Sequence, residues 1–297
     1  KIIGPIEEAN KSLGSIKVDF DNPEKLGTGK EKVERLTKLI AIFEGLNFSK
    51  NKAEGDDLLG DAYEYLMRNF ATESGKSKGQ FYTPAEVSRI MAKIIGINNN
   101  NTNADTTIYD PTCGSGSLLL KVADEAEKKI TIYGQEKESA TAGLARMNMV
   151  LHDCPTALIK CTGNSTLSDP QFTEDNGGLK QFDFIVANPP FSSKNWSNGV
   201  YDTEGDENTQ LFSNGTDYGR FKGFGIPPTK NGDYAFLLHM LRSLKSKGKA
   251  AVILPHGVLF RGNAEAEIRK NLIKKGYIKG IIGLPANLFF GTGIPAC

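Results

Sequence analysis

Residues 106–117 read Thr-Thr-Ile-Tyr-Asp-Pro-Thr-Cys-Gly-Ser-Gly-Ser. The first five residues are a short strand candidate, and a helix candidate begins at about residue 116. Between them, Gly114 and Gly116 permit a tight turn and a close approach of ligand to backbone. The free N–H groups of the helix start point toward that turn. Two ligand classes use such geometry. Dinucleotides place a diphosphate there, and S-adenosyl-L-methionine (AdoMet) places its methionine end there. Asp110 discriminates between them, because a carboxylate at the strand end repels a diphosphate and attracts an ammonium. The dinucleotide pattern G-x-G-x-x-G also lacks its third glycine, since Leu119 occupies that position. Asp110, Thr112, Gly114, Gly116 and Ser117 are therefore candidate AdoMet contacts. Glu136 follows the next strand candidate, 22 residues beyond Gly114. A carboxylate there can accept hydrogen bonds from both hydroxyls of a ribose.

Outward from this turn the pattern alternates. Strand candidates are 106–110, 130–135, 157–162, 182–187, 249–254 and 278–284, and helix candidates are 116–128, 138–151, 232–246 and 263–275. A further helix is expected from Pro84 to about Ile95, and the asparagine run 98–101 is expected to be a loop. Alternation of this kind predicts an α/β fold, a mainly parallel Rossmann-like sheet with helices on both faces. Ligands of such sheets bind beyond the carboxyl ends of the strands. Upstream, 31–48 and 56–72 carry apolar residues at helical spacing. They predict a small helical N-terminal domain over 1–77, joined through the polar stretch 73–79 to a second domain over 78–297. That stretch contains Gly75-Lys76-Ser77, but Phe70 stands where a phosphate-binding P-loop needs its first glycine. Residues 192–232 break the alternation with a long polar loop, of a length that is usually functional or disordered.

Composition sets the outer bounds. The chain has 297 residues, 39% hydrophobic and 24% charged, which excludes wholesale disorder. No apolar run approaches the ~20 residues that span a bilayer, so no membrane association is expected. No secretory leader is expected either, and the opening at Lys1 with the stop at Cys297 suggests a piece of a longer chain. The four cysteines form no C-x-x-C pair. Neither a metal site nor a disulfide framework is expected, and a cytoplasmic location fits. Net charge is +1, yet 239–297 carries ten Lys/Arg against two Glu, while 201–217 carries five acids and no Lys or Arg. A basic end is compatible with nucleic acid without demanding it.

The most specific signal is Asn188-Pro189-Pro190-Phe191, directly after the apolar strand candidate 182–187. Two prolines fix φ and remove two donors. The turn thus presents acceptors, the Asn188 side-chain oxygen and the Pro189 carbonyl. An exocyclic amine conjugated to a purine is a poor nucleophile. Two acceptors that hold its hydrogens favour a pyramidal nitrogen and aim its lone pair at a methyl donor. Phe191 offers a face on which a base can stack, worth about 1–3 kcal/mol in single-strand systems.

With Gly79 to Pro84 (G-Q-F-Y-T-P), Asp110 to Gly116 (D-P-T-C-G-S-G) and Asn188 to Phe191 (N-P-P-F) in this order, the chain resembles the AdoMet-dependent amino-methyltransferases. More closely it resembles the modification subunits of type I restriction-modification systems, which are N6-adenine DNA methyltransferases. The resemblance covers roughly 56–297 and includes Asp233 to Phe236 (D-Y-A-F) and Ala250 to Pro255. It implies that Gln80, Tyr82 and Thr83 contact the methionine end of AdoMet, and that Asn188 borders the cofactor as well as the target amine. It implies that Glu136 binds the ribose, and that Asn164 and Ser165 lie near the cofactor adenine. Many relatives have aspartate at the position of Asn164. It further implies double-stranded DNA as substrate, a specificity subunit, an ATP-hydrolysing restriction subunit, and a second copy of the chain in the complex. The target adenine would leave the base stack to reach Asn188, and 192–232 would be a candidate cover for it.

Rival readings are an RNA or protein-glutamine methyltransferase, a non-catalytic scaffold with this fold, and a nicotinamide-dependent oxidoreductase. Asp110 and the missing third glycine oppose the last, and intact Asp110, Gly114, Gly116 and Asn188 oppose a scaffold. A cytosine-C5 mechanism needs a nucleophilic cysteine, typically in a Pro-Cys pair, and the chain has no such dipeptide. Cys113 is expected to pack, and His152, His239 and His256 to be structural.

Overall fold

The structure, a computed structural model, describes residues 22–44, 83–127, 129–194, 196–200, 218–289 and 293–297. The chain divides into two compact units, 1–70 and 71–297. The expected helix over 56–72 and the expected domain boundary after Ser77 lie outside the described residues.

In the first unit a short helix α1 (Pro23–Leu26) precedes α2 (Gly29–Glu44). Ion pairs at one-turn spacing, Glu31 with Arg35 at 2.6 Å and Glu34 with Lys38 at 2.8 Å, line the exposed side of α2. Such surface pairs each add only a few tenths of a kcal/mol, about 0.3–0.5.

The second unit is a doubly covered parallel sheet. Its elements in chain order are α3 (Ala85–Ile94), β1 (Thr107–Asp110), α4 (Ser117–Glu125), β2 (Thr131–Gln135), α5 (Ser139–Leu151), β3 (Leu158–Lys160), β4 (Phe182–Ala187), α6 (Asp233–Arg242), β5 (Leu244–Val252), α7 (Gly257–Phe260) and α8 (Asn263–Lys274). The strands lie in the order β3-β2-β1-β4-β5, and every pair is parallel. Sheet side chains alternate between faces. Ile108, Phe184 and Val186 point into one core with residues of α3, α4 and α5. Tyr109, Ile185 and Ala187 point to the other side with Met240 of α6, where α6 and α8 form a further apolar cluster. Because both faces are covered, β4 is nearly all apolar and buried.

Two expected elements differ. The helix expected over 232–246 stops at Arg242. Ser243 closes it through N–H bonds to His239 and Met240 and accepts the N–H of Phe182 at 2.8 Å. The backbone is thereby drawn into the sheet, so β5 starts at Leu244 rather than 249. The strand expected over 278–284 does not form. Its isoleucines supply β propensity, but among the described residues its backbone reaches only one extended neighbour, through Leu284 N–H to the Ala296 carbonyl at 2.9 Å. Ile281 and Ile282 stay more than half exposed. The asparagine run is a 3₁₀ turn, Asn99–Asn101, closed by a capping box on Asn98. β5 is the last strand on its side of the described sheet, and Lys245, Lys247 and Lys249 along it are exposed.

Leu119 of α4 has no exposed surface. Leu119→Ala should therefore lower stability by about 2–5 kcal/mol, read as a shifted denaturation midpoint with an unchanged slope in urea.

Candidate active site

β1 ends at Asp110, and its register with β2 sets Asp110 beside Gly134. The turn that follows is a closed unit. Asp110 Oδ1 accepts the Thr112 N–H at 2.8 Å. Cys113 N–H donates to the Gln135 carbonyl at 3.0 Å, and Gly116 N–H donates to the Cys113 carbonyl at 2.8 Å. Gly116 stands before α4 with φ of 82°. That left-handed conformation requires glycine, whereas a Cβ there would press only on the Met149 methyl, the movable end of a flexible side chain. Ser117 Oγ lies 2.9 Å from Ser115 Oγ.

Glu136 reaches across to this turn. Its Oε2 accepts the Gly114 N–H at 3.0 Å, and its Oε1 accepts the Glu138 N–H at 2.9 Å. Asp110 is 2% exposed. Burial pushes its carboxyl up to about 7, and the Glu136 carboxylate acts in the same direction. Burial also raises Glu136, against the N–H donors it accepts from. Two carboxyl groups held this way favour a cationic ligand, whose charge would relieve their desolvation. Burial pushes the Cys113 thiol up, which keeps it a neutral packing group.

The candidate catalytic turn begins where β4 ends. Asn188 Nδ2 donates to Thr83 Oγ1 at 3.0 Å. Its Oδ1 is buried and, among the described residues, has no hydrogen-bond partner. Buried acceptors are nearly always satisfied, so this oxygen is free to accept a hydrogen bond from a bound ligand. Phe191 packs edge-on against Phe289, with ring centroids 5.9 Å apart.

The structure thus brings together Asp110, Thr112, Gly114, Gly116, Ser117 and Glu136 around the turn after β1, with Thr83 and Asn188 joined at the end of the neighbouring strand, β4. Asn164 and Ser165 lie on the loop after β3, at the same end of the sheet. Their side chains bond within that loop, Asn164 Nδ2 to Asp169 and Ser165 Oγ to the Leu167 N–H. Gln80 and Tyr82 lie outside the described residues, as does 201–217 of the long loop.

Sequence reasoning missed two groupings. A buried polar chain runs behind the sheet, where Tyr109 Oη meets Thr166 at 3.1 Å and His239 Nε2 at 3.3 Å, and Thr166 Oγ1 donates to Gln135 at 3.0 Å. His239 is held well below the usual imidazole range by burial and by nearby Arg220, so it is neutral and structural. The second grouping joins Asp233, Arg261, Glu265 and Ser192. Asp233 belonged to a recognised motif, but nothing in the sequence pointed to Arg261 as its partner.

Among the described residues, no helix is long and apolar enough to cross a membrane.

Comparisons with known proteins place this geometry. A methylase subunit of the type I restriction enzyme MpnII from Mycoplasma pneumoniae is 32% identical over 97% of this chain and 56% of that protein. The HindI methylase subunit from Haemophilus influenzae is 31% identical over 89% of this chain and 57% of its own. The chain spans about half the length of the curated relatives it matches. The crystal structure of a type I restriction-modification methyltransferase subunit from Streptococcus thermophilus superposes with a TM-score of 0.78 at 35% identity, covering 98% of this chain and 58% of that one. The sheet, with its glycine turn after β1 and its Asn-Pro-Pro-Phe turn after β4, is therefore an AdoMet-dependent methyltransferase sheet. The model of the N-6 DNA methylase family matches residues 54–297, and the chain belongs to that family.

Proposed function

We propose that this chain is the catalytic part of a site-specific DNA adenine-N6 methyltransferase, the modification subunit of a type I restriction-modification complex. One observation carries the reading. The Asn188 amide spends its N–H on Thr83 and leaves a buried, unmet oxygen at the end of β4. That is the acceptor an exocyclic amine needs.

AdoMet supplies a methyl group on a sulfonium, an electrophile for a nitrogen nucleophile. Asp110 would face its ammonium, the Gly114–Ser117 turn with Thr112 would take its methionine end, and Glu136 would hold the ribose hydroxyls. Asn164 and Ser165 would border its adenine. At the other side, Asn188 Oδ1 and the Pro189 carbonyl accept the two N6 hydrogens of a flipped adenine. Pro190 stiffens the turn, and Phe191 stacks on the base. The N6 lone pair is thereby aimed in line with the methyl. With AdoMet bound, the N–C bond would form as the methyl–sulfur bond breaks and the sulfonium leaves as a neutral thioether, and the methylated nitrogen would lose one proton to water, Asn188 Oδ1 and the Pro189 carbonyl orienting it without taking the proton.

The partners of this reading are double-stranded DNA, a specificity subunit, a restriction subunit and a second copy of the chain, in the cytoplasm. The names of the relatives, all type I methylase subunits, support it.

Asn188→Ala should lower methyl transfer by about 10²-fold or more while leaving most AdoMet affinity intact. Nucleoside mass spectrometry reads this on DNA from cells lacking adenine methylation that express the full-length gene with its partners. N6-methyladenine undiminished by the substitution would sink the role of Asn188.

Thr83→Val should reduce kcat about 5–10-fold, the worth of about one hydrogen bond, with Thr83→Ser restoring it. A loss confined to AdoMet affinity would make Thr83 a cofactor contact and not a holder of Asn188.

Asp110 gives a pH signature. Its folded carboxyl lies near 7, above its ordinary value. The stability it lends as a neutral acid is present below about pH 4 and is lost as pH rises through about 7. The melting temperature of the AdoMet-free protein should fall over that window, and less so in Asp110→Asn. Affinity for AdoMet should change in the opposite sense, weakening as pH drops below 7 by up to about tenfold per pH unit. Calorimetric titrations at pH 6 and 8 would show it, and a flat profile would separate Asp110 from the ammonium.

A further inference from the structure

The turn that presents Asn188 and Phe191 needs something to hold its exit. Ser192, the next residue, has φ of 49°, a left-handed conformation that a non-glycine residue adopts only when its surroundings impose it. Its N–H donates to Asp233 Oδ1 at 2.7 Å, and its hydroxyl lies 3.4 Å from Asp233 Oδ2. Asp233 is the first residue of α6 and is 1% exposed. Just before it, Gly232 N–H donates to the Ser193 carbonyl at 3.0 Å. The two ends of the 192–232 excursion are therefore tied at Ser192 and Asp233.

A cation from another element completes the tie. Arg261 Nη1 donates to Asp233 Oδ2 at 2.7 Å and to Glu265 Oε1 at 3.1 Å, and Nη2 donates to Ser192 Oγ at 3.2 Å. Glu265 is 3% exposed. Arg261 is itself held, because its carbonyl accepts Arg269 Nη1 at 3.1 Å. The same Arg269 nitrogen takes the Val258 carbonyl, which also accepts the Tyr234 hydroxyl. Burying two carboxylates beside one guanidinium is costly unless every lone pair is used. Nothing in the packing of α6 and α8 alone requires the cluster to reach Ser192.

We infer that Asp233, Arg261 and Glu265 are positioning residues that clamp Ser192 in its left-handed conformation and so set the direction in which Asn188 and Phe191 meet the target base. The inference rests on the reading of 188–191 as the catalytic turn. The cluster acts through one backbone N–H and one hydroxyl, four residues beyond Asn188. The planar fork of arginine matters as well as its charge. Two nitrogens serve three acceptors at fixed angles, which the single ammonium of lysine cannot reproduce.

The test compares Arg261→Lys, Ser192→Ala and the double variant in the complex of the full-length chain with its specificity subunit. Methyl transfer is measured from radiolabelled AdoMet to genomic DNA that lacks adenine methylation. If the parent complex transfers no methyl, it is the reading of the catalytic turn that fails, before any variant is compared. With an active parent, Arg261→Lys should lower kcat about tenfold while KM for DNA and for AdoMet stay within about twofold. Ser192→Ala should act in the same direction, and the double variant should lose no more than Arg261→Lys alone, because both break one linkage. Unchanged kcat per folded molecule would overturn the inference. So would a raised KM for AdoMet at constant kcat, or losses that multiply in the double variant. Should Arg261→Lys fail to fold, Ser192→Ala, which removes a single hydroxyl, carries the kcat and KM comparison on its own.

Discussion

The parallel ladder of β2, β1 and β4 fixes where every candidate site group stands. Tyr109 pairs with Tyr133 on one side and with Ile185 on the other, so the three strands end almost level. Adjacent strands are about 4.8 Å apart. The groups that follow their ends, Asp110, Glu136 and Asn188, are therefore delivered along a line spanning roughly two strand spacings. Parallel pairing gives all three the same polarity, so their turns open on one edge of the sheet. A slip of one residue in β1 would exchange Ile108 with Tyr109 between the faces and reverse Asp110. The apolar cores on the two faces forbid that slip, and the buried packing of Ile108, Phe184 and Val186 thereby holds the chemistry in register.

The site itself is two halves of opposite character. Around the glycine turn, carboxyl groups are crowded and desolvated, which favours positive charge. At Asn188 the polarity is that of neutral acceptors, with one buried oxygen unmet. A cationic cofactor and a neutral amine need those two environments side by side. Thr83 joins α3 to the second half, since its hydroxyl fixes which end of the Asn188 amide is turned outward.

Much of this was legible because it is local. A strand end, a glycine turn and a helix start fall within 106–117, and Asn188-Pro189-Pro190-Phe191 is contiguous, so each carries its own geometry. Partnerships across the chain were not legible. Ser192 and Asp233 are 41 residues apart, and Asp233 and Arg261 are 28 apart. Neither separation has a periodicity that would announce it. The same limit explains the misread elements. Residues 278–284 have the branched side chains of a strand, but a ladder needs a neighbour that local sequence does not name. The helix over 232–246 ended early because Phe182, far upstream, captures the Ser243 carbonyl. The N-terminal helical pattern was readable in part, and α2 follows it.

The row of lysines on β5 has a consequence for the molecule in solution. An edge strand offers unpaired backbone donors and acceptors to any passing extended chain. Lys245, Lys247 and Lys249 are exposed along that margin, and among the described residues Lys245 pairs with Asp183. A second molecule approaching edge to edge would bring a matching row of ammonium groups into register, where like charges repel. Desolvating those ammonium groups would cost further energy. Among the described residues, this margin of β5 thus carries its own guard against pairing with a second copy, while a neighbour carrying acidic side chains would meet no such barrier.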